Sequence, residues 1–330
     1  MKKILTVASA ALLLAACSEK PDYTITGKVN NAELNGKYVY LYEYGSNDAA
    51  PIDSALVENG AFTLKGTQNT TSLRTIRFSE NDVEPRRAAS GETSPFTALL
   101  ALQNSAINVV LDEKYSDVSG TPENDAMLAF QKEIRALREE QEKLEADLKS
   151  EEAEVKRAAE TKYDEFDHQI AEKAYSYIKQ NINNLTSAKL LVDFRYELNE
   201  EQQNDIVASA SEEFKNVPGV QKLIDHLEVL KKVAVGQKFT DFEMADIKGK
   251  GFEIVGISLD SKKEAWEKGI KDLNITWTQL SDLKGWKNDG AALYGVNSIP
   301  HTILVDKDGT IIAKGLHGKE VAEKLRELLK

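Results

Sequence analysis

The sequence predicts an α+β multidomain protein with three successive regions: a β-rich N-terminal region, a helical middle region and a C-terminal α/β region. Three patterns support this organisation. Short runs of β-branched and aromatic residues fill 23–120, apolar residues at helical spacing fill 121–233, and strand and helix patterns alternate in 234–330. A chain of 330 residues is long enough to form more than one domain.

The N-terminal region, 23–120, is predicted to be an antiparallel β domain of the sandwich or barrel type. Asn59-Gly60 lies between two alternating runs and is a strong signal for a tight hairpin. The stretch Glu80–Ser94 is polar, and we expect a mobile loop there. The predicted strands are Tyr23–Val29, Tyr38–Tyr42, Asp53–Val57, Ala61–Lys65, Leu73–Phe78, Ala98–Leu102 and Ala106–Leu111.

The middle region, 121–233, is predicted to be helical because apolar residues recur every three to four positions. The seam formed by these residues is weak at Gln141 and Glu151. It predicts either a coiled coil or dimer stem, or a long solvated helix packed on its own chain. We favour the second, since the heptads are few and imperfect. Thr186 or Ser187 is expected to cap the helix that follows a break at 183–187.

The C-terminal region, 234–330, is predicted to alternate strands and helices. A continuous apolar run, Phe252–Leu259, is typical of a strand buried on both faces of an α/β sheet. Ser261 is expected to cap a helix that runs to about Leu273, and a short helix is expected at Ala291–Tyr294. The remaining predicted elements are a hairpin of Thr302–Val305 and Thr310–Ala313 across Asp306–Gly309, and an amphipathic helix Lys319–Lys330.

The first seventeen residues have the layout of a cleaved export signal. A short basic start precedes the apolar stretch Ile4–Ala16, which is too short to span a bilayer stably. Leu14-Ala15-Ala16-Cys17 resembles the lipobox of bacterial lipoproteins. That resemblance implies a signal peptide 1–16, acylation of Cys17 and a lipidated tether 17–22. We therefore expect a soluble body held on an envelope membrane, and Ser18 favours the outer membrane.

The acidic charge balance argues against a nucleic-acid-binding protein. The formal net charge is −12, and removing Lys2 and Lys3 with the leader would make it −14. Binding to phosphates needs a basic surface, and the sequence contains no run rich in lysine and arginine. The expected partners are the membrane, through the anchor, and another envelope protein; the oligomeric state is left open.

Three stretches resemble the C-terminal half of a thioredoxin-like domain of the TlpA/ResA type, also described as AhpC/TSA-like. They are Gly251–Asp260, Ala291–Val296 and Ser298–Thr302. The pattern from Asp53 to Gly66 resembles a domain of unknown function that precedes such domains in lipoproteins. The resemblance implies a thiol-disulfide oxidoreductase of the cell envelope. It also implies a cis-proline region of Ile299, Pro300 and His301, in which a cis peptide bond precedes Pro300 and the proline faces the redox site.

The catalytic part of that family is absent from this sequence. Family members place a strand, a Trp-Cys-x-x-Cys turn and a helix between the stretches that match Val235–Phe242 and Lys250–Phe252. Here only Glu243–Gly249 joins them, and seven residues cannot hold a strand and a crossover helix. Cys17 is the only cysteine of the chain. No residue is therefore predicted to be catalytic.

Two interpretations of function remain open. One is a redox-inactive envelope lipoprotein with a binding or scaffold role. The other is an oxidoreductase of which this sequence is an internally deleted version, whether natural, engineered or misassembled. In either case the missing strand would be central, so we expect residues 235–330 to form a reduced or unstable domain.

Other candidate sites are weak. The four histidines show no metal-ligand spacing, so neither a metal nor a cofactor is expected. His301 could line a pocket beside Pro300. Trp266, Trp277 and Trp286 could floor a ligand groove, but we favour a place in the core.

Overall fold

The computed structural model describes residues 22–46, 50–238 and 253–328. The chain has mixed α+β structure and divides into two compact units, one ending at Val220 and the other beginning at Gln221. The order of the regions is as predicted, with strands first, helices next and alternating elements last. In the second unit, helix α7 (Val220–Lys232) accompanies the alternating elements.

The N-terminal strands form two four-stranded sheets, which are not closed into a barrel. The sheet orders are β4-β1-β7-β8 and β3-β2-β5-β6, and every pairing is antiparallel except that of β1 with β7. The short strand β8 had not been predicted. The strands are β1 Tyr23–Val29, β2 Tyr38–Glu43, β3 Asp53–Leu56, β4 Ala61–Gly66, β5 Ser72–Phe78, β6 Ala98–Leu102, β7 Ala106–Leu111 and β8 Asp117–Ser119.

The core of this unit lies between the inward faces of the two sheets. Alternate side chains of each strand point inward, and Ile25, Leu41, Leu64 and Ile107 are all at least 99% buried. Burying one such side chain contributes roughly 1.5–3 kcal/mol to folding. The period-two pattern of the sequence therefore locates this core correctly.

The Asn59-Gly60 turn forms as predicted, but the two strands beside it belong to different sheets. Asn59 (φ 52°) and Gly60 (φ 73°) both have the left-handed backbone that a tight type I′ turn requires. The Glu58 and Ala61 amides each donate to the other's carbonyl, at 2.9 and 3.0 Å. Beyond the turn, β3 pairs with β2 and β4 with β1. The predicted hairpin pairing is wrong there, because an alternating pattern does not identify the partner strand.

A buried charge cluster ties the end of the predicted loop Glu80–Ser94 to the first helix. Arg135 Nε donates to Glu92 Oε1 at 3.0 Å, and its other nitrogens reach Asp117 Oδ1 at 2.5 Å and the Ser116 carbonyl at 3.1 Å. The side chains of Arg135 and Glu92 are only 8% and 6% exposed. Burial raises the pKa of the Glu92 carboxyl, and the guanidinium opposes that shift. The loop is thus fixed at this end, contrary to the prediction of a mobile segment.

The helices of the middle region pack on one another. Gln141, a weak position of the predicted seam, is buried and donates to Asp167 Oδ1 of α3 at 2.6 Å. Lys173 of α3 contacts Glu133 at 2.8 Å, so α1 and α3 run antiparallel. Glu151, the other weak position, lies in the break before α3. The helices are α1 Pro122–Glu142, α2 Glu145–Leu148, α3 Ala153–Gln180, α4 Leu185–Asp193, α5 Glu200–Ser209 and α6 Glu212–Lys215.

The predicted caps of α4 are wrong. Asn184 occupies the N-cap position without a side-chain hydrogen bond, and Thr186 and Ser187 are buried inside the helix. The Thr186 amide instead donates a hydrogen bond to Glu123 Oε1 of α1, at 2.8 Å. A carboxylate from another helix satisfies the free N–H group, which the local sequence could not show.

Asn124 of α1 closes the free edge of the second sheet. Its Oδ1 accepts from the Ala101 amide at 2.9 Å, and its Nδ2 donates to the Ala101 carbonyl at 3.0 Å. The side chain is 2% exposed, so these two bonds replace those of a neighbouring strand where water is excluded. These bonds fix the start of the first helix against the edge strand β6.

Replacing Arg135 with alanine is expected to destabilise the N-terminal unit strongly. The change leaves Glu92 as a buried carboxylate without its counter-ion, which costs about 3–5 kcal/mol of unfolding free energy. Arg86→Ala is the matched control, because Arg86 and Glu113 form an exposed pair at 3.0 Å whose loss should cost about 1 kcal/mol or less. Urea denaturation followed by circular dichroism measures both. Equal losses would show that the buried cluster is not a main support of this fold.

Candidate functional site

The strands of the second unit form two separate pairs. Strand β9 pairs in parallel with β10, and β11 pairs antiparallel with β12. Within 253–328 and the described residues before them, no strand joins the two pairs. The elements are β9 Val255–Ile257, α8 Lys263–Asp272, β10 Thr278–Leu280, α9 Asp289–Leu293, β11 Ile303–Val305, β12 Ile311–Lys314 and α10 Lys319–Leu328.

The predicted strand Phe252–Leu259 is shorter and more exposed than expected. It spans Val255–Ile257, and Ile254 and Ile257 are 43% and 40% exposed. Phe252 lies outside the described residues. A parallel strand is buried on both faces only when neighbouring strands and helices cover it. Here β10 is its one described strand neighbour, and helix α8 has no buried residue.

Two further local predictions for this unit are wrong. Lys262, not Ser261, occupies the N-cap position of α8, and no side chain caps that helix. Two of the three tryptophans lie outside the core, since Trp286 is 59% and Trp277 43% exposed, whereas Trp266 is half-buried. Strand β10 and its parallel pairing had no signal in the sequence, since Thr278–Leu280 contains only three residues and one of them is aliphatic.

The described residues of this unit form a small hydrophobic core cluster, and apolar side chains of α7 are buried as well. The cluster comprises Val233, Tyr294 and Ile311, against which Ile303 and Val305 pack. Large apolar side chains remain exposed elsewhere in the unit, such as Leu273 at 74%. The amphipathic helices α8 and α10 contribute no fully buried residue.

The hairpin β11–β12 forms as predicted, with the two strands paired antiparallel. The Asp306 amide donates to the Thr310 carbonyl at 2.8 Å across the turn. Residues 236–238 run beside β12, where the Gly236 amide donates to the Ile311 carbonyl at 2.8 Å. The Lys238 ammonium donates to Asp308 Oδ2 at 2.8 Å, and this hydrogen bond lowers the pKa of Asp308 to about 2.

The predicted site residues Ile299, Pro300 and His301 form the turn before β11. The Ile299–Pro300 peptide bond is cis. Ile299 is 62% exposed, Pro300 is exposed and His301 is half-buried. A hydrogen bond next to the turn ties it to the segment after β12, since Thr302 Oγ1 donates to the Leu316 carbonyl at 2.6 Å. A proline presented in this way can contact a bound chain, but it supplies no acid, base or nucleophile.

Cys17, the predicted lipidation site, lies outside the described residues, as does the stretch 239–252. Among the residues that the structure does describe, no group of three or more histidine, cysteine or acidic side chains could hold a metal ion. Within the same ranges, no helix is long and apolar enough to cross a membrane.

Comparison with protein families identifies the regions. Residues 216–311 match the family model described as "Thioredoxin-like". The C-terminal region is a thioredoxin-like domain. Residues 23–127 match a domain of unknown function, DUF4369, and residues 1–18 match the prokaryotic membrane lipoprotein lipid attachment site. The resemblance drawn from the sequence motifs is confirmed for all three regions.

Two solved structures resemble this thioredoxin-like domain. One is the C-terminal domain of a protein assigned as a thiol-disulfide oxidoreductase in Bacteroides thetaiotaomicron, at 36% identity over 23% of this chain and 52% of that one, with a TM-score of 0.23. The other is a thiol-disulfide oxidoreductase from Bacteroides fragilis NCTC 9343, at 38% identity over 23% of this chain and 56% of that one, also with a TM-score of 0.23. This chain thus spans about half the length of each. No curated protein matches it.

Hydrogen exchange is expected to show that the thioredoxin-like domain opens far more readily than the N-terminal unit. The amides of Val255–Ile257 should exchange at least about tenfold faster than those of Ile25 and Ile107, a difference of about 1.4 kcal/mol or more in opening free energy. The two central-strand amides serve as the internal control, and mass spectrometry of the full chain reports both. Equal protection would contradict the expected instability.

Proposed function

We propose that this protein is a lipid-anchored envelope protein whose thioredoxin-like domain is redox-inactive and serves a binding or scaffold role. The observation that carries the proposal is the position of the single cysteine. Cys17 lies within the lipoprotein lipid attachment site, and no other residue of the chain can supply a thiol.

Thiol-disulfide exchange by the family mechanism requires two cysteine sulfur atoms of the enzyme. A thiolate attacks a disulfide, and a second thiol resolves the mixed disulfide that results. A peroxidase of related fold needs at least one free thiol. An acylated Cys17 supplies neither, so the family reaction has no nucleophile in this chain.

The anchor supports an envelope location. The lipoprotein attachment site implies acyl chains on Cys17, and two or more chains hold a protein stably on a membrane where one is marginal. We propose outer-membrane sorting, with Ser18 as its signal. We further propose a tether 17–22, a β domain 23–120, a charged helical region 121–233 and a reduced thioredoxin-like domain 234–330.

An exposed aromatic surface of the β domain supports the binding role. Tyr38, Tyr40 and Tyr42 alternate on the outward face of β2, with ring centroids 6.4 and 6.2 Å apart. Arg77 of β5 lies over the Tyr42 ring at 4.3 Å, and Leu56 of β3 is 37% exposed on the same face. Tyrosine and arginine are enriched in protein interfaces. The surface therefore fits the envelope protein partner expected from the sequence.

The alternative is a thiol-disulfide oxidoreductase from which one segment has been excised. One observation favours it: the stretches Val235–Phe242 and Lys250–Phe252, which match the family on either side of the missing segment, are nearly intact and almost adjacent. A decayed active site would more readily keep its strand and helix and lose only the cysteines. The alternative requires that the protein in the cell contain a Trp-Cys-x-x-Cys segment.

An insulin-reduction assay is expected to show no turnover above the rate of buffer with dithiothreitol alone. The physical reason is the absence of a free thiol, so Cys17→Ala protein should give the same rate. A conventional thioredoxin serves as the positive control. Clear turnover by the purified chain would contradict the proposed redox inactivity.

Metabolic labelling with palmitate is expected to depend on Cys17. Wild-type protein should incorporate the label, and Cys17→Ala should lose it entirely because the acylated sulfur is gone. Ser18→Ala is the matched control and should remain labelled. Equal labelling of wild type and Cys17→Ala would contradict the anchor.

A further inference from the structure

The described chain emerges from the N-terminal sandwich between two loops. These loops, 67–71 and 103–105, are called here the anchor-proximal loops. Asp22 Oδ1 accepts from Thr67 Oγ1 at 2.9 Å, and the Thr24 amide donates to the Ser105 carbonyl at 3.0 Å. Both loops cross from one sheet to the other, so they cover the end of the sandwich where β1 begins.

The anchor-proximal loops form one connected surface. The Gln68 amide donates to Asn104 Oδ1 at 2.7 Å, and Asn104 Nδ2 donates to the Gln68 carbonyl at 2.6 Å. Gln68 Nε2 also reaches Ser72 Oγ at 2.5 Å. Asn69, Thr70 and Thr71 remain exposed on the outer side. The loops are therefore held in place by their own polar groups and present further polar groups to the outside.

Charge is distributed unequally between the two ends of this sandwich. The anchor-proximal loops read Thr-Gln-Asn-Thr-Thr and Gln-Asn-Ser, with no charged residue. Two further connections leave from this end: 44–52 contains Asp48 in its sequence, and 120–121 leads into the first turn of α1, where the exposed Asp125 accepts from the Gly120 amide at 2.8 Å. All four connections at the opposite end, 30–37, 57–60, 79–97 and 112–116, contain charged residues. The two anchor-proximal loops are thus uncharged, whereas the exposed carboxylates of Asp22 and Asp125 lie at the same end of the sandwich.

The length of the tether fixes which end faces the bilayer. Four residues lie between Cys17 and Asp22, so the two are five steps apart along the chain. An extended chain spans at most about 3.6 Å per step, so the reach is about 18 Å. The headgroup layer of a bilayer is about 5–7 Å thick on each side. An anchor at Cys17 therefore keeps the end of the sandwich that carries Asp22 next to the membrane surface.

We propose that the anchor-proximal loops rest on the phospholipid headgroup layer. Uncharged amides and hydroxyls can hydrogen-bond to phosphate and carbonyl oxygens of lipids. These loops carry no charge that an anionic surface would repel, although the chain without Lys2 and Lys3 has a net charge of −14 and the Asp22 carboxylate lies beside Thr67. The charged connections at the opposite end face the aqueous compartment. This orientation rests on the proposed lipid anchor and is independent of the redox state of the thioredoxin-like domain.

Site-directed fluorescence tests the orientation in the lipidated full-length chain. Asn69→Cys and Asn81→Cys place a reactive thiol at the membrane end and at the opposite end, both on exposed loop positions. Each is labelled with an environment-sensitive maleimide in vesicles of phosphatidylethanolamine and phosphatidylglycerol. A fraction of the lipids carries a spin-label quencher on the headgroup. Wild-type protein, with its sulfur acylated, controls for background labelling.

Quenching at position 69 should be at least about twofold, and quenching at position 81 should be absent, because strands of six to seven residues separate the two ends by about 20 Å. Equal quenching at both positions, or stronger quenching at 81, would overturn the proposal. Flotation of the same vesicles tests the lipid anchor separately from the orientation of the sandwich. Protein that floats but is not quenched at 69 refutes the orientation while the anchor stands, and protein that fails to float refutes the anchor.

A charge variant provides a second test. Thr70→Glu in the Asn69→Cys background should reduce quenching on phosphatidylglycerol vesicles and leave it unchanged on phosphatidylcholine vesicles, since only the anionic surface repels the new carboxylate. Thr70→Gln is the matched neutral control and should behave like threonine on both. A loss that is equal on the two lipid surfaces would indicate a local structural effect and contradict contact with the headgroups.

Discussion

The pairing of β9 with β10 alone, and of β11 with β12 alone, determines the properties of the thioredoxin-like domain. In the family that the sequence resembles, a central strand joins these two pairs and leads into the catalytic turn. Without a described strand between them, apolar residues such as Ile257 remain exposed, and the buried cluster around Tyr294 and Ile311 stays small. In that family the strand that completes the sheet also leads into the turn that presents the thiols, so one missing segment would account for both the exposed apolar residues and the proposed redox inactivity.

The N-terminal unit is densely packed and well hydrogen-bonded. Its two sheets enclose a continuous core, Arg135 fixes a loop and a strand to the first helix, and Asn124 closes a sheet edge. Each buried polar group in these two contacts has partners, which is what a low-dielectric interior requires. A binding or scaffold function fits this distribution of stability. The well-packed unit follows the tether in the sequence and carries the exposed tyrosine face, whereas the thioredoxin-like domain, which we expect to be less stable, lies at the other end of the sequence.

Local patterns in the sequence predicted the elements, and non-local contacts decided how they are arranged. The strands Ala98–Leu102 and Ala106–Leu111 were predicted with their bounds, because alternation and turn residues are properties of neighbouring residues. The partners of β3 and β4, the cap that Glu123 provides for α4 and the burial of Glu92 depend on residues far away in the chain. For the candidate site, motifs located Pro300 and the leader located Cys17. The exposure of Trp286 and Ile257 was missed, since an apolar pattern predicts burial only if a partner surface exists.

We expect that in the cell only the seven residues Glu243–Gly249 join Phe242 to Lys250, and that the protein contains no dithiol. Peptide mapping of the protein purified from its native envelope tests this most directly. Cleavage after glutamate should release Met244–Glu253, a single peptide that crosses the junction. Its detection by tandem mass spectrometry, together with the absence of any cysteine-containing peptide beyond the lipidated N-terminus, is the expected result. A longer peptide from the same position that contains Trp-Cys-x-x-Cys would contradict the claim and restore an oxidoreductase.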